Sequence, residues 1–130
     1  MVEYLSDEWI TALDVALRAC TGLEAVAPLV VEQIVHDVPA RGTVRYRCEV
    51  ASDGVRVVLD GNGRADLRLT TDYVTAIAIA RGHENAQSAL AAGRLRLGGD
   101  VEALARHAQV LGALADATAG LRATTTYASP

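Results

Sequence analysis

The chain has 130 residues, 51% of them apolar, with a formal net charge of −4, no lysine and no phenylalanine. That is enough chain for one real core, while the missing lysine excludes an internal Schiff-base amine and the phosphate-binding lysine of a P-loop. No apolar run is long enough to span a bilayer and Met1-Val2-Glu3-Tyr4 lacks the basic and apolar regions of a signal peptide, so a cytoplasmic globular protein is expected.

Ser6 is placed to cap a first helix, with Asp7 and Glu8 in the opening turn where carboxylates suit the positive end of the dipole. Trp9, Leu13, Ala16, Leu17 and Cys20 recur on one stripe of it, and Gly22 is the expected stop. Pro28 then introduces Leu29 to Val38, a β-branched run read as a strand. The next segment alternates: Val44, Tyr46, Cys48 and Val50 point one way, and Thr43, Arg45, Arg47 and Glu49 the other. Asp53-Gly54 signals a tight hairpin, beyond which Val55, Val57 and Leu59 continue the inner face.

Asp60-Gly61-Asn62-Gly63 is read as a further hairpin turn. Gly61-x-Gly63 resembles part of a dinucleotide loop, but the third glycine is missing and no helix follows. Leu67 and Leu69 face inward on a fourth strand. Thr70 or Thr71 is expected to cap a helix over 72–81, whose Val74, Ile77, Ala78 and Ile79 leave almost no wet face. A short helix over 85–92 follows, and Leu95 and Leu97 make a fifth strand with Arg94 and Arg96 outward. Asp100 is expected to cap the last helix, with Val101, Leu104, Ala108, Leu111 and Ala115 on one stripe. Residues 1–120 thus read as one α+β domain, a five-stranded antiparallel sheet covered on one face by about four helices, and residues 121–130 as a loose tail.

Three features of the central stretch resemble the sterol carrier protein 2 family, the nonspecific lipid-transfer fold. A strand ending in Leu69-Thr70-Thr71-Asp72-Tyr73 runs into an apolar helix. Ile79-Ala80-Arg81-Gly82 is followed by Ala91-Ala92-Gly93. Gly93-Arg94-Leu95-Arg96-Leu97-Gly98-Gly99-Asp100 is similar to the family's Gly-basic-apolar-basic-apolar-x-Gly-Asp/Asn strand and cap. The resemblance implies an apolar tunnel between sheet and helices that holds a sterol, fatty acid or acyl-CoA, with no catalytic residue, metal or cofactor. It also implies that the fold can accompany an enzyme as an accessory domain.

The inward candidates for such a lining come from every part of the chain. Val44, Tyr46, Val57, Leu67 and Leu69 come from the early strands, and Leu95 and Leu97 from the last. Ile77, Leu90, Val101, Leu104 and Leu111 come from the covering helices. Small Ala and Gly residues on those helices leave space that no Phe fills, and each buried methylene of a ligand is worth ~0.8 kcal/mol. The expected partner is therefore a lipid-like small molecule, with a transient membrane or enzyme contact and a homodimer both compatible with it. The alternative is a filled structural or dimerisation module beside a neighbouring enzyme, with an apolar patch at Tyr4, Trp9 or Tyr127.

Competing chemistry is thin. His36, His83 and His107 show no metal-ligand spacing and are read as surface side chains, and no Gly-x-Ser-x-Gly elbow is present. Cys20 and Cys48 are read as small core thiols. Arg45, Arg47, Arg56, Arg68, Arg94 and Arg96 fall on the sheet's outer face, where pairing with Glu32, Glu49 and Asp66 is expected. An acidic chain without an exposed stacking face does not suggest nucleic acid.

Overall fold

The computed structural model describes residues 1–19, 28–61 and 63–130. Cys20 and Gly22, assigned above to the end of the first helix, lie outside them. After a short strand β1 (Val2–Glu3), α1 (Asp7–Arg18) begins where Ser6 Oγ accepts a hydrogen bond from the Trp9 backbone N–H at 3.2 Å. Its stripe of Trp9, Ile10, Leu13 and Leu17 is buried.

β2 (Leu29–Val38), β3 (Gly42–Ala51) and β4 (Gly54–Leu59) form an antiparallel meander. The β3–β4 loop residues are Ser52 and Asp53, because Ala51 faces Gly54. The hairpin therefore turns one residue earlier than Asp53-Gly54 suggests.

β5 (Leu67–Asp72) overturns the expected all-antiparallel topology. It does not pair with β4; it lies parallel to β2, with Val31 opposite Leu67 and Val35 opposite Thr71. β6 (Leu95–Gly99) then pairs antiparallel with β5. The result is a mixed five-stranded sheet of order β4-β3-β2-β5-β6.

The cause lies on the outer face, where residues 63–66 run instead of a hairpin, and Asn62, in the middle of the expected turn, lies outside the described residues. Arg47 reaches out from β3 and donates to the Gly63 carbonyl at 2.9 Å and the Arg64 carbonyl at 2.7 Å. Gly61 permits that approach: a Cβ there would stand 2.7 Å from Arg47 Cδ. Beyond the crossing, Asp66 Oδ2 accepts from the Val30 N–H at 2.8 Å and the Asp66 carbonyl accepts from the Asp100 N–H at 2.7 Å. Gly99, at φ +89°, lets β6 close on this point, since a Cβ would run into the Asp66 carbonyl oxygen. The Gly-Gly-Asp ending of β6 thus has a local physical reason.

α2 (Tyr73–Ala80) is capped by Asp72, whose Oδ1 accepts from the Thr75 N–H at 2.8 Å, and not by Thr70 or Thr71, which remain in β5. α3 (Ala86–Ala91) is capped by Asn85. The last amphipathic stretch is two helices, α4 (Ala103–Arg106) and α5 (Ala108–Gly120), separated at His107 (φ −119°, ψ 26°). α1 packs on β4, α5 on α1, α2 on β2 and β5, and α3 on β6.

The segment after Gly120, expected to be loose from its polar composition, is tied down. A 3-10 turn (Arg122–Thr124) leads into β7 (Thr125–Thr126), which pairs parallel with β1. The Tyr73 hydroxyl donates to the Ala128 carbonyl at 2.8 Å, and the Arg81 guanidinium sits 5.6 Å from the Tyr127 ring centre. Tyr127 supplies the apolar area that the threonines beside it lack. All five aromatic residues of the chain gather in this region. Tyr4 lies 4.8 Å from Trp9, 6.3 Å from Tyr73 and 5.4 Å from Tyr127 between ring centres, and Trp9 lies 5.8 Å from Tyr46.

Candidate functional site: the inner face of the sheet

Three rows of side chains cross the inner face in register. The middle row runs Leu59, Tyr46, Gln33, Leu69, Leu97 across all five strands. On one side of it lie Val57, Cys48, Val31, Leu67 and Gly99, and on the other Val44, Val35, Thr71 and Leu95. None of these inward residues is charged.

Burial divides the face. Val44, Tyr46, Val57, Leu67 and, from α2, Ile77 are buried in one continuous core with α1. Leu69 and Leu97 from the sheet, with Leu104 and Leu111 from α4 and α5, pack against that core but keep part of their surface exposed. Leu95 is half-buried as well. Two expected lining residues are turned away: Leu90 is 45% exposed on α3 and Val101 is 59% exposed ahead of α4. Both sit on short segments, where one residue more or less redirects a side chain by about 100°.

Sequence reasoning passed over Gln33. The run Leu29 to Val38 was legible as a strand, and strict alternation from Leu29 through Val31 and Val35 puts Gln33 on the inner face beside Tyr46 and Leu69. It is half-buried, and neither its amide nor the Tyr46 hydroxyl makes a side-chain hydrogen bond among the described residues. Burial pushes the Tyr46 hydroxyl well above the usual tyrosine range, so it stays protonated.

The outer face carries ion pairs beside apolar Val30, Ile34 and Val58. Glu32 accepts from Arg47 at 3.3 Å and from Arg68 at 3.0 Å, and Glu49 accepts from Arg56 at 2.6 Å. The expected pairing with Glu32 and Glu49 is present, and Arg47 and Glu32 are buried, Arg47 bonding to the Gly63 and Arg64 carbonyls. Asp66 is used by the Val30 backbone and not by an arginine, and Arg94 pairs with Glu84.

Reactive groups lie apart from the inner face or are sealed within it. Cys48 is a buried thiol pushed up to about 12, by desolvation first and then by the nearby carboxylates of Asp14 and Glu49. Such a group is not a thiolate nucleophile at neutral pH. His36 and His83 are exposed, whereas His107, expected on the surface, is buried at the break between α4 and α5. Among the described residues no cluster of His, Cys, Asp and Glu is arranged to hold a metal ion. A cleft of about 290 Å³ at the β3–β4 hairpin is lined by Arg18, Glu49, Asp53 and Arg56 among others, and is too charged for an apolar guest. Tyr4 and Trp9, considered above as an exposed apolar patch, are 6% and 1% exposed and belong to the core. No helix among the described residues is long and apolar enough to cross a membrane.

Comparison with known proteins agrees with this geometry. Residues 20–112 match the model of the SCP-2 sterol transfer family. The fold superposes on a crystal structure of sterol carrier protein 2 with a TM-score of 0.70 and 22% identity, covering 90% of this chain and 98% of that one. A Thermus thermophilus protein described as possibly a sterol carrier protein gives 0.68 and 22%, covering 93% and 91%. The palmitated sterol carrier protein 2 like 2 of Aedes aegypti gives 0.61 and 21%, covering 82% and 94%. No curated protein sequence matches the chain.

Proposed function

The chain belongs to the SCP-2 sterol transfer family, and from that premise we propose that it is a non-enzymatic carrier of a lipid-like apolar molecule, held against the inner face of the sheet. The observation that carries this reading is the set of apolar side chains left partly uncovered at the edge of a continuous core. Leu69 and Leu97 on neighbouring strands, with Leu104 and Leu111 from the last helices, offer apolar surface that protein covers only in part. An acyl chain or ring system laid there would gain roughly 0.8 kcal/mol per buried methylene, sufficient for micromolar binding after the cost of association. Leu67, Val57, Val44, Tyr46 and Ile77 form the packed floor behind that surface. Cys48, the cysteine on the inward rows, is buried and held neutral, in keeping with an apolar floor.

Native mass spectrometry of the purified protein, followed by organic extraction, tests the proposal. A co-purifying lipid of defined mass is the expected result. A bare protein that also fails to bind fluorescent fatty-acid and sterol probes overturns it and favours a structural module.

A further inference from the structure

β2 carries Leu29, Val31 and Val35 at its other inward positions, so a glutamine at Gln33 stands out in chemistry, not in geometry. It lies between Tyr46 and Leu69 in the middle row, with Leu59 and Leu97 at the ends. Directly opposed side chains on neighbouring strands have Cβ atoms about 5 Å apart, so the Gln33 amide and the Tyr46 ring lie side by side. The amide brings two donors and two acceptor lone pairs, and the phenol one donor and an acceptor. Neither is used within the described residues.

We propose that Gln33 and Tyr46 form a polar handle on the apolar floor, selecting lipids that present an uncharged oxygen, a hydroxyl or a carbonyl, to the middle of the sheet. The inference rests on the carrier reading above. A half-buried amide keeps contact with solvent while the face is open and loses it when a guest covers the row. A pure hydrocarbon would then leave the amide unpaired, a penalty that a hydroxyl or carbonyl on the guest removes. An ionised carboxylate is excluded from the same place for a different reason. No inward residue of the three rows carries a charge, so the anion would be desolvated without a counter-ion.

The chain's single tryptophan, Trp9, has its ring centre 5.8 Å from that of Tyr46 and reports occupancy of the row by its fluorescence. The test titrates the full chain with 1-decanol, undecane and decanoate at neutral pH, following Trp9 emission and native mass spectra. The wild type is expected to bind 1-decanol about tenfold more tightly than either of the others, the worth of roughly one hydrogen bond. Gln33→Leu should lose that preference, bind undecane more tightly than before because no amide is left unpaired beneath the guest, and melt within a few degrees of the wild type when empty. Tyr46→Phe, which keeps the ring, should weaken 1-decanol binding by a few-fold. Equal affinity of the wild type for 1-decanol and undecane, or an unchanged preference in Gln33→Leu, overturns the polar handle and leaves the carrier standing. A Gln33→Leu protein that is destabilised or unfolded also overturns it, by showing that the amide serves the fold. Failure of the wild type to bind any of the three overturns the polar handle, and overturns the carrier reading as well where the fluorescent fatty-acid and sterol probes are also refused.

Discussion

The inner face of the sheet has a closed half and an open half. Over β2, β3 and β4 the inward residues Val31, Val35, Val44, Tyr46, Cys48 and Val57 are buried, with α1 packed on β4, while Gln33 and Leu59 in the middle row are half-buried. Over β5 and β6 only Leu67 is comparably covered, and Leu69, Thr71, Leu95 and Leu97 are half-buried. The cover differs in kind. α1 is twelve residues with a polar cap and a stripe of large side chains, whereas α4 is four residues and is broken from α5 at His107. One half is built to stay shut, and the other retains apolar surface that a guest would complete. A protein that must both fold when empty and bind a lipid needs this asymmetry, since a face sealed throughout would have no room and a face open throughout would have no core.

Substitutions divide the two halves by which quantity they move. Leu17→Ala removes a side chain that is 1% exposed beneath α1, and should cost about 3–4 kcal/mol by the transfer and cavity terms together. Urea unfolding measures it, and a loss under about 1 kcal/mol would mean that the closed half is not close-packed. Leu97→Ala, in the open half, should cost about 1–2 kcal/mol because its side chain is already partly solvated. The same substitution should weaken binding of a fluorescent lipid probe by about tenfold, which Leu17→Ala should not do in the folded protein. If the two variants proved interchangeable in both assays, the division of the face would be lost.

The closed half also makes a statement about pH. Cys48 is held at about 12 against an ordinary thiol value of 9.0, so the folded state favours the neutral form. Its contribution is fully present below pH 9 and is lost as pH rises from there towards 12. At pH 10 the loss should be roughly 1 kcal/mol greater in wild type than in Cys48→Ala, which still carries the raised buried tyrosines Tyr4 and Tyr46. The native thiol should likewise resist a disulfide reagent at pH 8 until the protein unfolds. Rapid labelling at Cys48 itself, told from Cys20 by peptide mapping of the labelled protein, would place Cys48 in the open half instead.

Much of this architecture was legible in the amino-acid order. The alternation from Val44 to Val50 and the Leu95/Leu97 strand are local patterns, and the Ser6 cap and the Asn85 helix start are local chemistry; each appears where expected. What escaped depends on contacts distant in sequence. The Asp60-Gly61-Asn62-Gly63 stretch has hairpin composition, and only the bonds from Arg47 to Gly63 and Arg64 turn it into a crossing that makes β5 parallel to β2. The 121–130 segment is polar in composition, yet β1 and Tyr73 hold it. At the site, the apolar sheet residues could be read from their period, while Leu90 and Val101 could not, because a helix of six residues and an irregular turn give no reliable phase. Gln33 is hidden for the opposite reason: the β-branched residues of Leu29–Val38 signal a strand by content alone, and only the two-residue period across it places the amide inward.

The smallest expected effect locates the boundary of the open half. Val101 and Leu90 are exposed, and each is an apolar side chain without cover. Val101→Ser should change stability by less than about 0.5 kcal/mol. If Val101 lies outside the binding surface, as its exposure implies, the variant should also keep its affinity for the lipid probe within twofold. The contrast with Leu97→Ala is then sharp, since both remove apolar area from the last third of the chain and only one lies in the row that crosses the sheet. A substantial loss of affinity in Val101→Ser, with stability unchanged, would extend the open half past β6 and onto the turn ahead of α4. The apolar surface offered to a guest would then be larger than the rows of the sheet define.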